Sequence, residues 1–203
     1  MLRIKEAIPM DNPLYLFVGK SASGKTSTAN LLEKRYGYKQ VYSYCTRKPR
    51  ETGEIGHVFV TEDEFKQLGD LAAYTFYHGH HYGTTFKQLD ECDIYVIDPP
   101  GVKALLKKFS DRESKRPISV FYFDTAVSTR IDRMIDRGDS DMQIVSRLHN
   151  DDTEDDWLRQ LDKLVWHYKN IEFQDIELHK INANENIENV LEQILYYIKK
   201  DEE

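Results

Sequence analysis

Cysteine is scarce: Cys45 and Cys92 are the only two in 203 residues. Two thiols make neither a disulfide framework nor a metal cluster, and both are expected to be small buried or half-buried side chains in a reducing compartment. Long apolar runs are missing too. The longest near the start, Leu14 to Val18, is far short of the ~20 residues that cross a bilayer, and no secretory leader is visible. There is no basic excess either. A formal net charge of −7 argues against non-specific nucleic-acid binding, although local Lys and Arg can still line a nucleotide site. Internal repeats and low-complexity linkers are absent. With 40% hydrophobic and 31% charged residues, the composition is that of an ordinary soluble protein. These absences lead us to expect a cytoplasmic monomer or homodimer, with neither nucleic acid nor membrane as partner. The length suggests one domain with small lobes.

What is present starts with Gly19-Lys20-Ser21-Ala22-Ser23-Gly24-Lys25-Thr26. The pattern G-x-x-x-x-G-K-[ST] follows the apolar run and opens a helical pattern from Ser27 to Tyr36, which is the strand–loop–helix setting of a phosphate-binding loop. Gly19 and Gly24 let the backbone wrap an anion without a Cβ in the way. Successive amide N–H groups and the positive end of the helix attract phosphate. Lys25 is expected to reach the β- and γ-phosphates of ATP, and the Thr26 hydroxyl to ligate Mg²⁺.

Strand-like runs at Gln40–Tyr44, Ile94–Ile97, Ile118–Phe123 and Ile176–Ile181 alternate with helical patterns at 102–109, 126–136, 141–168 and 187–198. Thr125 is a candidate N-cap, the segment 141–168 reads as one long helix or two, and the strand at 176–181 reads as an edge. Such alternation predicts an α/β fold, a three-layer P-loop NTPase architecture with a mostly parallel central sheet. Residues 1–42 and 93–203 read as its core. The Gly-, His- and Tyr-rich stretch 43–92 reads as an inserted lobe. Within it, Arg47 and Arg50 flank Pro49, and two guanidiniums on a turn suit bidentate capture of a second phosphate.

From about Leu14 to Asn150 the order of motifs resembles the guanylate kinase family. The motifs are Ser43, Thr46-Arg47-Lys48-Pro49-Arg50, Gly53-Glu54, Gly56-His57-Val58-Phe59-Val60, Gly79-His80-His81-Tyr82-Gly83-Thr84, Asp98-Pro99-Pro100-Gly101, Arg133, Arg137-Gly138 and Arg147-Leu148. The resemblance implies that residues Gly19 to Ser27, with Ser21, Ala22 and Ser23 among them, hold ATP. It implies that Arg47, Arg50 and Tyr82 hold the monophosphate of a nucleoside monophosphate acceptor, with His57 where the family has a further tyrosine. Ser43, Thr84 and Asp98 would face the acceptor's base, and the resemblance implies a lid around 133–150 whose Arg133, Arg137 and Arg147 would close over the donor. Phosphoryl transfer of this kind relies on positioning and spread positive charge, so no general base is needed.

The chain departs from the family pattern at Ala73, where the family has a guanine-reading glutamate, and at Val96, the first of two aspartates. Loss of the glutamate is expected to weaken guanine preference. The expected activity is therefore transfer of the γ-phosphoryl of ATP to GMP or a related (deoxy)nucleoside monophosphate. Two alternatives are a P-loop kinase for another phosphorylated metabolite such as ribose 1,5-bisphosphate, and an inactive binding module. The intact Lys25, Thr26 and lid arginines favour an enzyme. The cluster His78, His80 and His81 suits contact with the acceptor better than a metal site. Asp151-Asp152 and Glu154 to Asp156 read as a solvated helix start. Trp157 and Trp166 read as core or helix-packing residues, and Tyr74, Phe76 and Tyr77 as packing of the small lobe.

Overall fold

The computed structural model describes residues 12–49, 53–77, 79–112, 116–152, 156–172 and 175–201. Its centre is β1 (Leu14–Val18), whose five side chains are all fully buried. A continuous apolar run is what a strand covered on both faces requires. β1 pairs in parallel with β6 (Ile94–Val96) and β7 (Ile118–Asp124), and β7 with β8 (Ile176–Asn182), in the order β6-β1-β7-β8. β8 is an edge strand, as its alternating pattern predicts.

The two-residue period of β1 divides the core. Leu14, Leu16 and Val18 pack with Val102, Leu105 and Leu106 of α4 (Pro99–Asp111) and with Trp157, Leu161 and Val165 of α7 (Trp157–Asn170). Tyr15 and Phe17 face the opposite layer, where Ala29 and Leu32 of α1 (Lys25–Tyr36) meet Val190, Leu191, Ile194 and Ile198 of α8 (Ile187–Asp201). Each large side chain so buried contributes about 1.5–3 kcal/mol before the entropy of ordering is subtracted.

A second sheet, in the order β3-β2-β5-β4, is built from β2 (Ser43–Cys45), β3 (His57–Phe59), β4 (Leu71–Tyr77) and β5 (His80–Thr85). Two short helices, α2 (Glu62–Lys66) and α3 (Phe86–Asp90), accompany it, each opened by a capping box, from Thr61 to Glu64 and from Thr85 to Gln88. Asp70, just before β4, bonds Lys108 of α4 and Arg112 just past its end, each at 2.6 Å, and so ties this sheet to the core.

Several local expectations are corrected. Gln40 does not begin the strand at 43–45; it bridges to Ile94, and the chain then crosses to the second sheet. Helix α4 starts at Pro99, because proline is tolerated in the first turn and Asp98 caps it through the Gly101 N–H at 2.7 Å. Thr125 is not the cap of α5 (Val127–Asp136); Ala126 occupies that position, and its N–H is taken by Asn184 Oδ1 at 2.8 Å. Of the two readings open for the segment 141–168, the two-helix one holds: α6 (Asp141–Asp152) and α7, with Asp156 capping the second. Asp151 therefore lies at the end of a helix, buried, and not at a solvated helix start. Trp166 lies off the Leu161–Val165 stripe and is 63% exposed, whereas Trp157 is buried.

Candidate active site

The phosphate loop follows β1 at the carboxyl end of the parallel strands, where α/β sheets place their ligands. Two of its glycines are dictated by space and by backbone. A Cβ on Gly19 would lie 2.8 Å from Ser23 Oγ and 3.0 Å from the Phe123 carbonyl oxygen. Gly24 has φ +99°, in the left-handed region, and immediately precedes α1. Lys25 folds back over the loop and donates to the Gly19 carbonyl at 2.5 Å, the Lys20 carbonyl at 2.9 Å and Ser23 Oγ at 3.2 Å. Burial pushes its ammonium down to about 8; the nearby Asp151 carboxylate works against that shift, and the Arg130 guanidinium adds to it.

A cavity of about 690 Å³ opens from this loop. Gly19, Ser21 and Lys25 line one side, and Ser43, His57, Ala73, Thr75, Tyr82 and Asp98 line another. Strand register explains how the second set converges. Ser43 is paired with His57, Cys45 and Thr75 with Tyr82, and Ala73 with Thr84. Paired residues share a face, and so do residues two apart along a strand. The side chains of Ser43, His57, Tyr82, Ala73 and Thr75 therefore belong to one face of the second sheet. The opposite face carries His81, packed against Phe65, Tyr74 and Phe76, with Nδ1 2.8 Å from the Tyr74 hydroxyl.

Polar groups on the sheet-side wall are tied to one another. Ser43 Oγ is 3.0 Å from His57 Nδ1, and the His57 ring meets Tyr82 edge-on at 5.5 Å. Asp98 accepts from Gly101 N–H and, at 3.4 Å, from the Thr75 hydroxyl, while burial raises its carboxyl above the usual range. Burial also raises the Tyr82 phenol; the Cys45 thiol adds to that shift and the Arg47 guanidinium opposes it. The Arg47 guanidinium grips Glu54 with both terminal nitrogens, at 2.9 and 2.6 Å, and lies over the Phe59 ring. Its Nε is buried without a hydrogen-bond partner.

A second cavity, of about 540 Å³, lies behind the loop and is lined by Ala22, Ser23, Gly24, Ser27, Arg133, Arg137, Asn186 and Ile187, among others. Arg133 spans it, donating to the Ala22 carbonyl at 3.4 Å and the Ala183 carbonyl at 2.8 Å.

The residues expected from sequence thus fall into three groups. Gly19, Ser21, Lys25, Ser43, His57, Tyr82 and Asp98 share the first cavity, and Ala22, Ser23, Gly24, Ser27, Arg133 and Arg137 the second. Thr26 is exposed in the first turn of α1. Three expected residues stand back from the cavity walls. Arg47 lines neither cavity; its guanidinium is engaged by Glu54 and lies over Phe59. Thr84 is fully buried and donates to the Tyr95 hydroxyl at 2.8 Å, so it acts on the cavity through Tyr95. Arg147 pairs with Asp139 at 3.2 Å, and Asp139 also holds Arg137. Arg50 and His78 lie outside the described residues.

Residues that sequence reasoning missed are Thr75, Tyr95, Trp157, Asp151 and Arg130. Period-two alternation from Ala73 pointed to Thr75. Trp157 lines the first cavity, with its indole N–H buried and unpartnered. No local signal marks Asp151 and Arg130, which meet across 21 residues at 3.0 Å.

No family model matches the chain. The guanylate kinase of Fusobacterium nucleatum is 27% identical over 166 residues, which cover 75% of this chain and 86% of that protein. The guanylate kinase of Lactobacillus johnsonii is 31% identical over 150 residues, covering 66% of this chain and 71% of that protein. Among solved structures, the guanylate kinase from Anaplasma phagocytophilum superposes with a TM-score of 0.53 at 20% identity, covering 94% of this chain and 86% of the other, a likeness of fold.

Proposed function

The chain belongs to the guanylate kinase family, and we propose that it transfers the γ-phosphoryl group of ATP to GMP or a closely related nucleoside monophosphate. The observation that carries this reading is that one cavity is shared by Gly19, Ser21 and Lys25 and by Ser43, His57, Tyr82 and Asp98. A donor's terminal phosphate on the loop and an acceptor's phosphate on the sheet face would meet inside it.

The roles follow from charge and reach. Backbone amides of the loop hold the donor's phosphates, and Lys25 turns from its carbonyl partners to the β- and γ-oxygens. Thr26 offers an exposed hydroxyl oxygen beside the cradle, a hard donor that fits Mg²⁺. When bound there, the ion supplies charge neutralisation between phosphate oxygens. The second cavity takes the donor's nucleoside, with Arg133 and Arg137 on its wall. Arg47, through its unpartnered Nε, and Arg50 hold the acceptor's phosphate beside Tyr82 and His57. Ser43, Asp98 and the Thr84–Tyr95 pair face its base. The free thiols, Cys45 buried and Cys92 half-buried, suit a reducing cytoplasm.

One observation favours a broader acceptor range. At Ala73 the wall presents a methyl group, and the polar groups nearby are Thr75 and Asp98. A site that lacks a partner for a base's hydrogen-bonding edge discriminates weakly. The test is ADP release from ATP and Mg²⁺ with a panel of nucleoside and deoxynucleoside monophosphates and ribose 1,5-bisphosphate. GMP or dGMP is expected to give the fastest turnover. No release with any nucleoside monophosphate would overturn the reading.

A further inference from the structure

The mouth of the phosphate loop carries an anion of the protein's own. Asp151, at the end of α6, accepts from the Ser21 N–H at 3.0 Å and from the Ser21 hydroxyl at 3.2 Å. The same carboxylate takes Arg130 Nη2 at 3.0 Å. Both side chains are buried, Arg130 to 1% exposure and Asp151 to 8%. Asp151 also lines the first cavity, as do Ser21, Lys25 and Asp98. Its oxygens therefore stand in for those of a phosphate: a backbone amide of the loop, a hydroxyl and a guanidinium converge on them. A carboxylate and the γ-phosphate of a donor compete for these groups, since two anions do not share one set of donors at 3 Å without strong repulsion.

Arg130 differs from the lid arginines already considered. Arg137 and Arg147 are tied to Asp139 near the surface. Arg130 is held inside the fold, and its Nε is buried with no hydrogen-bond partner, a donor left over for a second oxygen. A fixed cation in a water-poor site stabilises developing charge without reorganising.

We propose that Arg130 is a further catalytic residue, a ligand of the transferred γ-phosphoryl group, and that Asp151 is the competing anion that this phosphate displaces from Ser21 and Arg130. The proposal rests on the phosphotransferase reading above and adds to it a contact specific to the third phosphate. ATP and ADP should therefore respond differently to changes at this pair, which a purely structural ion pair would not cause.

The experiment is calorimetric titration of ATP and ADP, with Mg²⁺ fixed, into the wild type, Asp151→Asn and the double variant Arg130→Met/Asp151→Asn. The double variant removes both charges together and so keeps a folded protein available if one buried partner cannot stand alone. Asp151→Asn is expected to bind ATP about tenfold tighter while ADP affinity shifts less than threefold. The double variant is expected to lose the ATP-over-ADP preference of the single variant and to turn over about a hundredfold more slowly than wild type. ATP and ADP affinities that move together in both variants would overturn the proposal while leaving the phosphotransferase reading standing. A wild type that binds neither nucleotide would overturn both.

Discussion

The two halves of the main cavity are built from different materials. On the donor side the partners are main-chain groups: the loop amides, with Gly19 pressed against Ser23 and Phe123 and Gly24 at φ +99°. On the acceptor side they are side chains, Ser43, His57, Thr75 and Tyr82, set on one face of a sheet by strand register. Backbone geometry leaves few residue types that fit, so the donor side is a fixed device. A sheet face fixes where a side chain points and leaves its identity open. Ala73 and His57 stand at positions where that latitude has been used.

The sharpest way to break this contrast is at Lys25, the side chain folded over the loop itself. Lys25→Ala should lower kcat by on the order of a thousandfold, since a positioned cation on the transferring phosphates is lost. Circular dichroism should show the fold retained, because the loop's own carbonyls, not the core, hold the ammonium. Wild-type turnover in that variant would end the assignment.

Arg47→Ala is the matching change on the acceptor side. It should raise KM for GMP about thirtyfold, with KM for ATP within about threefold, because the guanidinium adjoins Tyr82 and not the loop. Equal losses for both substrates in steady-state kinetics would erase the division between the two sides.

Proton linkage gives a third handle. Burial holds the Lys25 ammonium down at about 8, against an ordinary value of 10.5. The charged form attracts phosphate, so the sign is clear: kcat/KM for ATP should be flat below pH 8 and fall as pH rises through that value. The fall should approach about tenfold per unit. An ATP profile flat to pH 10 would contradict it. KM for GMP, whose phosphate is assigned to guanidiniums that stay charged throughout this range, should not share this inflection.

The smallest effect is expected from Ala73→Glu. A carboxylate on the base wall should raise the preference for GMP over AMP about fivefold, less than a free-standing contact would give, because Asp98 is a nearby like charge. Unchanged preference would show that this wall does not touch the base.

The same difference in materials explains what was legible in the sequence. The loop declared itself because glycine and lysine are required there at fixed spacing. The parallel sheet was legible from the unbroken apolar run of β1, and β8 from its alternation. Less was readable where a partner comes from far along the chain. Helix α5 has no side-chain cap of the kind Thr125 was expected to make; instead Asn184 holds the N–H of Ala126 from 58 residues away. Asp151, in a charge run that looked solvated, reaches Ser21 across 130 residues. Thr84 fits the family pattern, yet its hydroxyl turns inward to Tyr95. Local pattern sets the strand and the face, but it does not say which buried neighbour a side chain meets.

The central claim is that both phosphates occupy one cavity, head to head. A bisubstrate compound, adenosine and guanosine joined through their 5′ positions by a chain of five phosphates, tests it directly by titration calorimetry. The account predicts binding at least a hundredfold tighter than ATP alone, competitive against both ATP and GMP. Affinity equal to that of ATP, with competition against ATP only, would contradict it.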